Sequence, residues 1–464
     1  MNDCPVFDAN LMRRYRQAGA PCGRVVPLPS FLETAGDAAF RDLVRRSNRE
    51  LVPRPLALSI HTTAAARATS GEPDTLREVR RDRAGRPFIE RLLREIEIAG
   101  RMFDRDREVV ALQFDPISTF SLSHHQLEEL LEGVDRNFHL RRRVNREFAV
   151  RLDPMATSAR EVGALARLGF NRATVLADAN GAPVERGQEW LIEAVETVVD
   201  SCRASGFRSV TLRVPFGSSS SARGERERDL ERMLATRPDR VHLWPLTGLP
   251  RNPAIQPPTD VNGEPEADDW LVRSKAAVEQ LLAARYRHLG MEQFALPDDD
   301  LARAQDARTL QCTSRGYAAF AGSDRLGLGV AAVSHIGDGL SQNYRDLASW
   351  ARAIDEGWLP VWRGAELEFE DVVRTEVVQR LLCDGVIDTV ALEHHYDLEF
   401  AACFPDAKDR LAALAADGLV SMRGPLIAAT SRGRLVLRII AGCFDRPRHE
   451  PRVAAHSVEQ PAPI

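Results

Sequence analysis

"EFAVRLDPMATSAREVGALARLGFNRATVLA", residues 147–177, holds the decision about the fold. Residues 147–152 are a short apolar run, 158–168 carry a helical pattern, and 171–177 are a second apolar run. A strand, a helix and a strand in that order make a crossover unit whose two strands lie parallel. The alternation continues in both directions. Strands are predicted at 56–60, 108–114, 147–152, 171–177, 208–214 and 240–244, and helices at 86–102, 123–137, 158–168, 188–204, 224–236 and 267–289. Within 86–102, Phe88, Leu92, Ile96 and Ala99 recur at three-to-four spacing, the mark of one buried helix face.

Six such units predict an α/β fold with a parallel sheet, helices outside it, and an open, partial (βα)6 barrel rather than a closed one of eight. Ligands in such folds bind at the carboxyl ends of the strands, here 61–72, 115–120, 153–157, 178–187, 215–223 and 245–263. After residue 365 the pattern turns helical, at 368–384, 390–403 and 407–417. A Gly-turn, a short strand pair and a final helix follow within 416–444. That is a small helical domain with a winged-helix character, but it has no basic recognition helix. The organisation expected is an N-terminal extension (1–53), the partial barrel (54–300), a connecting and barrel-closing segment (301–364), the C-terminal helical domain (365–445) and a disordered tail (446–464).

Composition narrows the partners. The 464 residues are 44% hydrophobic and 28% charged, with net charge −5. Nothing in that balance favours nucleic acid or an anionic membrane. Lys275 and Lys408 are the only lysines, so the positive charge is almost all Arg. No run reaches the roughly 18 apolar residues of a membrane span, and no signal-peptide pattern opens the chain. Seven cysteines (Cys4, Cys22, Cys202, Cys312, Cys383, Cys403 and Cys443) are scattered without metal-type spacing. A reducing cytoplasm is the expected setting.

The segments GMEQFALPDDDLARAQ (290–305), RGYAAFAGSDRLGLGVAAVSHIGDGLSQN (315–343), VWRGAEL (361–367) and ADGLV…TSRGRLVLRIIAGCFD (416–445), with FNRA (170–173) and LDP (152–154), carry a resemblance. The chain resembles the oxygen-independent coproporphyrinogen III oxidases, radical S-adenosylmethionine enzymes of haem biosynthesis. The resemblance implies a radical-SAM type of partial barrel. It also implies a four-iron, four-sulfur cluster on three cysteines of a His-x-Pro-Phe-Cys-x-x-x-Cys-x-x-Cys loop, and S-adenosylmethionine on the open iron. The cleaved cofactor would then abstract hydrogen from a propionate, which loses carbon dioxide.

Counted from His61, those three positions are Ala65, Thr69 and Glu72. Iron–sulfur clusters need thiolates, so neither cluster nor cofactor is expected. The family's Gly-Gly-Gly-Thr-Pro loop corresponds to Asp115-Pro116-Ile117-Ser118-Thr119. Its Glu, Gln and Asp on later strands correspond to Arg151, Asp178 and Arg213, and its tyrosine before the His to Ser59. Its N-terminal Pro-Arg-Tyr-Thr-Ser-Tyr-Pro stretch corresponds to residues 21–27. A candidate ligand pocket remains in His61, Gly327, Gly329 and Ser334, unless the two glycines only close the barrel. His124-His125 and Glu393-His394-His395 read as helix-surface residues, because adjacent side chains point about 100° apart. The run 218–221 with Arg223 reads as a loop. Expected partners are a porphyrin or haem, or a catalytic paralogue, with no nucleic acid and no membrane. The reading is a non-catalytic tetrapyrrole-binding or regulatory paralogue. The alternatives are a decarboxylase with a divergent site and a structural partner of a catalytic chain.

Overall fold

A computed structural model describes residues 4–17, 36–62, 74–115, 122–141, 146–177, 187–215, 223–244, 267–313, 316–319 and 322–445. The six predicted strands appear as β1 (Leu56–His61), β2 (Glu108–Asp115), β4 (Glu147–Leu152), β5 (Arg172–Leu176), β6 (Ser209–Pro215) and β7 (Arg240–Trp244), and a further two-residue strand, β3 (His139–Leu140), pairs beside β2. Then come β8 (Arg287–Gly290), β9 (Gln293–Ala295), β10 (Gln311–Thr313), β11 (Gly316–Ala318), β12 (Asp324–Gly329), β13 (Val333–Ile336), β14 (Gly339–Asn343) and β15 (Val361–Glu366). The large sheet runs β15-β14-β13-β12-β1-β2-β4-β5-β6-β7-β9-β8. From β12 to β7 every pairing along it is parallel, and the flanking strands are antiparallel. Among the described residues β7 does not pair back to β12, so the barrel stays open, and β12 extends it beyond β1.

The helices are α1 (Ala9–Gln17), α2 (Asp37–Asn48), α3 (Asp74–Gly100), α4 (His124–Asn137), α5 (Ala159–Leu168), α6 (Gly187–Ala204), α7 (Arg223–Ala235), α8 (Ala267–Ala283), α9 (Asp300–Asp306) and α10 (Leu347–Asp355). Capping boxes start α4 and α5: Ser123 with Gln126, and Ser158 with Glu161. The helix predicted over 267–289 ends six residues early. Arg285 turns left-handed (φ 67), the Tyr286 hydroxyl bonds the Pro238 carbonyl at 2.5 Å, and the rest pairs with β9 as β8. One core joins Leu58, Ile60, Leu112, Val150, Val175 and Leu212 on the strands to Leu92, Ile96, Leu130, Val162 and Ile192 on the helices.

The C-terminal part holds α11 (Phe369–Asp384), β16 (Val386–Asp388), α12 (Thr389–Tyr396), α13 (Phe400–Cys403), α14 (Ala407–Ala416), β17 (Val420–Arg423), β18 (Leu426–Ala429) and α15 (Leu437–Gly442). The predicted helix 390–403 is two helices, broken where Asp397 takes φ 52. The predicted strand pair gains β16 and becomes a three-stranded wing, β16-β18-β17. A second core unites this part with the β7–β9 end of the sheet, through Val377 and Leu381 of α11, Ile440 of α15, and Val241, Leu289 and Phe294. The predicted tail 446–464 lies outside the described residues, as do 216–222 and 245–266.

Candidate functional site

Side chains alternate across a strand, so the outer apolar set leaves its neighbours facing the barrel interior. Those inner positions are polar. Ser59 lies in register with Gly327 and Gln113, and Arg151 with Thr174. Thr174 lies in register with Thr211, and Arg213 with His242. The outer row is sealed, while Gln113, Arg151, Thr174, Thr211, Arg213 and His242 stay half-buried. The barrel therefore encloses a lumen with accessible polar surface, not a second apolar core.

That lumen is cationic towards β6 and β7. Burial pushes the His242 pKa down to about 3, helped by the guanidinium charges of Arg213, Arg438 and Arg151, so its imidazole is neutral at physiological pH. Arg438 arrives from α15 and donates to Glu292 at 3.1 Å, which brings the C-terminal helix to this side of the barrel. Ser59 is 2% exposed, and its Oγ makes no hydrogen bond on the inner face of β1.

His61 ends β1, half-buried and in register with Gly329 and Asp115. The Gly327 amide donates to Ser334 Oγ at 2.9 Å, and a Cβ there would stand 2.6 Å from the Val333 carbonyl oxygen. Gly329 has φ +100, and its Cβ would stand 2.4 Å from the His61 carbonyl oxygen. Its amide donates to Glu95 Oε2 at 2.9 Å and its carbonyl accepts from Asn343 at 2.9 Å. The structure thus brings the four candidate pocket residues together on β1, β12 and β13. The two glycines are needed for close approach within the protein itself. Ala65, Thr69 and Glu72 lie outside the described residues, as do residues 116–119, Asp178 and residues 21–27. His124, His125, His394 and His395 are exposed on helix surfaces, as read. Residues 218–221 are outside the described set.

Sequence reading singled out Arg151 and Arg213 but missed their neighbours. His242 was legible in principle, since the alternation in RVHLW (240–244) sets it opposite Val241 and Leu243. Arg438 and Glu292 meet only through tertiary packing. So does Glu95 of α3, which accepts from the Gly329 amide, from Asn343 Nδ2 at 2.8 Å and from Trp350 Nε1 at 3.1 Å. Burial outweighs these donors and raises its pKa to about 8.

Among the described residues no group of three or more His, Cys, Asp or Glu could hold a metal ion. Cys202 ends α6, whereas Cys312, Cys383 and Cys443 belong to the C-terminal core. Burial pushes the Cys202 and Cys312 thiols up to about 12 and Cys443 up to about 11, so they are protonated at neutral pH.

An open parallel sheet of this order, with helices outside and a polar lumen inside, is the partial barrel of radical SAM enzymes. The fold matches that of coproporphyrinogen III oxidase from Escherichia coli, a radical SAM enzyme. The TM-score is 0.81 at 27% identity, over 96% of this chain and 99% of that one. An oxygen-independent coproporphyrinogen III oxidase from Pseudomonas aeruginosa is 31% identical over 450 residues, 96% of this chain and 97% of that protein. One from Salmonella typhimurium is 29% identical over 95% of each. The chain belongs to the oxygen-independent coproporphyrinogen III oxidase family. No protein-family model matches it.

Proposed function

We propose that this family member binds a carboxylate-bearing tetrapyrrole in its barrel and does not run the radical decarboxylation. The observation that carries the reading is the group of Arg151, Arg213 and Arg438 around a neutral His242. The residues present do not fit the family's cluster and cofactor. The three cluster positions are Ala65, Thr69 and Glu72, which offer no thiolate. S-adenosylmethionine carries a sulfonium and an ammonium beside its one carboxylate, a net positive charge that an arginine-lined lumen disfavours. The propionates of a coproporphyrin have the opposite sign, and guanidinium forks match carboxylates in shape as well. Ser59 Oγ, buried without a hydrogen bond, adds a donor on the same inner face.

Titration of the full chain with coproporphyrin III, read by quenching of its six tryptophans, tests this directly. Saturable quenching is expected, with Kd raised at least tenfold in Arg213→Glu. A flat titration, or an unchanged Kd in the variant, would sink the ligand assignment. Turnover of coproporphyrinogen III by chain reconstituted with iron and sulfide would sink the non-catalytic one.

A further inference from the structure

At the opposite end of the barrel, a cavity of about 500 Å3 opens between the amino ends of β4, β5 and β6 and helix α9. Arg141, Arg146, Arg172, Arg208 and Arg303 line it against the carboxylates of Glu147 and Asp300. Both acids are already engaged. Glu147 accepts from Arg172 at 3.1 Å, and Asp300 accepts from Arg172 and from Arg303, the latter at 2.6 Å. Positive charge is therefore in clear excess on one concave wall.

Four of the guanidiniums, those of Arg141, Arg146, Arg172 and Arg303, have fixed partners before any ligand arrives. Arg141 is bonded to Glu108 at 2.8 Å, outside the lining set. The Arg146 guanidinium lies 3.9 Å from the centroid of the Phe148 ring. Arg172 is 8% exposed, and its Nε makes no hydrogen bond. A wall on which five arginines face two carboxylates matches an anion in charge and in hydrogen-bond donors.

We propose that this cavity binds a small phosphate-bearing anion, at a site separate from the lumen and independent of the tetrapyrrole reading. Its volume falls in the range of about 300–1,000 Å3 usual for small-molecule pockets. Its lining side chains are arginine, glutamate, aspartate, threonine and alanine, with no aromatic ring and no large aliphatic side chain to stack a macrocycle. Several guanidinium forks on one wall match the several charged oxygens of a di- or triphosphate.

Calorimetric titration of the full chain with inorganic pyrophosphate at about 0.1 M salt decides it. One saturable site is expected. Affinity should fall at least tenfold in Arg208→Glu, whose side chain is exposed, and in Arg146→Gln. Arg213→Glu, in the lumen, should bind pyrophosphate as the parent does, which separates this site from the tetrapyrrole reading. No saturable heat, undiminished binding in both cavity variants, or loss of binding in Arg213→Glu would overturn the proposal. Citrate binding as tightly as pyrophosphate would overturn the phosphate assignment.

Discussion

Glu95 sets a testable pH signature at the scale of one residue. Its carboxyl is buried under three donors, and burial still raises its pKa to about 8. In the unfolded chain the group ionises near pH 4.3. Between those values the native state holds a proton that the unfolded state has released, so stability falls as pH rises. Glu95 therefore stabilises the fold fully below about pH 4.3, and that contribution is lost by about pH 8, at roughly 1 kcal/mol per pH unit. Urea unfolding should give a lower midpoint at pH 8 than at pH 6, and Glu95→Gln should flatten that difference. An equal drop in the variant would mean that other groups set it. His242 has the opposite sign. Its depressed pKa makes it a destabilising proton acceptor for the unfolded chain below about pH 6.5.

The anchoring of β12 is a question at the scale of elements. Arg107 donates to Asp324 at 2.7 Å, with both side chains 1% exposed. Asp324 also accepts from Ser47 Oγ of α2 at 2.5 Å and from the Gly337 amide at 2.9 Å. One carboxylate thus ties α2, the approach to β2 and the β13–β14 turn to the start of β12. Arg107→Met leaves that carboxylate buried without its cation, and a loss of about 3–5 kcal/mol is expected by denaturant unfolding. Arg107→Met with Asp324→Asn should recover part of it; a single variant as stable as the parent contradicts the anchoring role. The six leading strands were legible because each is a short apolar run flanked by helical periodicity. The addition of β12 beside β1 was not, since parallel pairing between residues 56–61 and 324–329 leaves no local pattern. The end of α8 is not legible in the sequence because no glycine or proline separates Ala283 from β8, and the break is made by Arg285 in a left-handed conformation.

For the whole molecule, the sign of charge at each end of the barrel matters more than the net −5 of the chain. Both ends collect arginines: Arg151, Arg213 and Arg438 in the lumen, and Arg141, Arg146, Arg172, Arg208 and Arg303 at the amino face. The family resemblance points to Arg151 and Arg213 because it implies acids at those two positions. The amino-face arginines replace nothing in a motif, and only folding brings residues 141–208 and 303 to one wall. Under the proposed reading the barrel is retained without a cluster, because Ala65, Thr69 and Glu72, which the family resemblance places at the ligand positions, supply no thiolate. The most direct measurement is iron bound per chain after anaerobic reconstitution with iron and sulfide. Iron well below one atom per chain, with no visible cluster absorbance, is the expected result. Close to four irons per chain, with that absorbance, would contradict it.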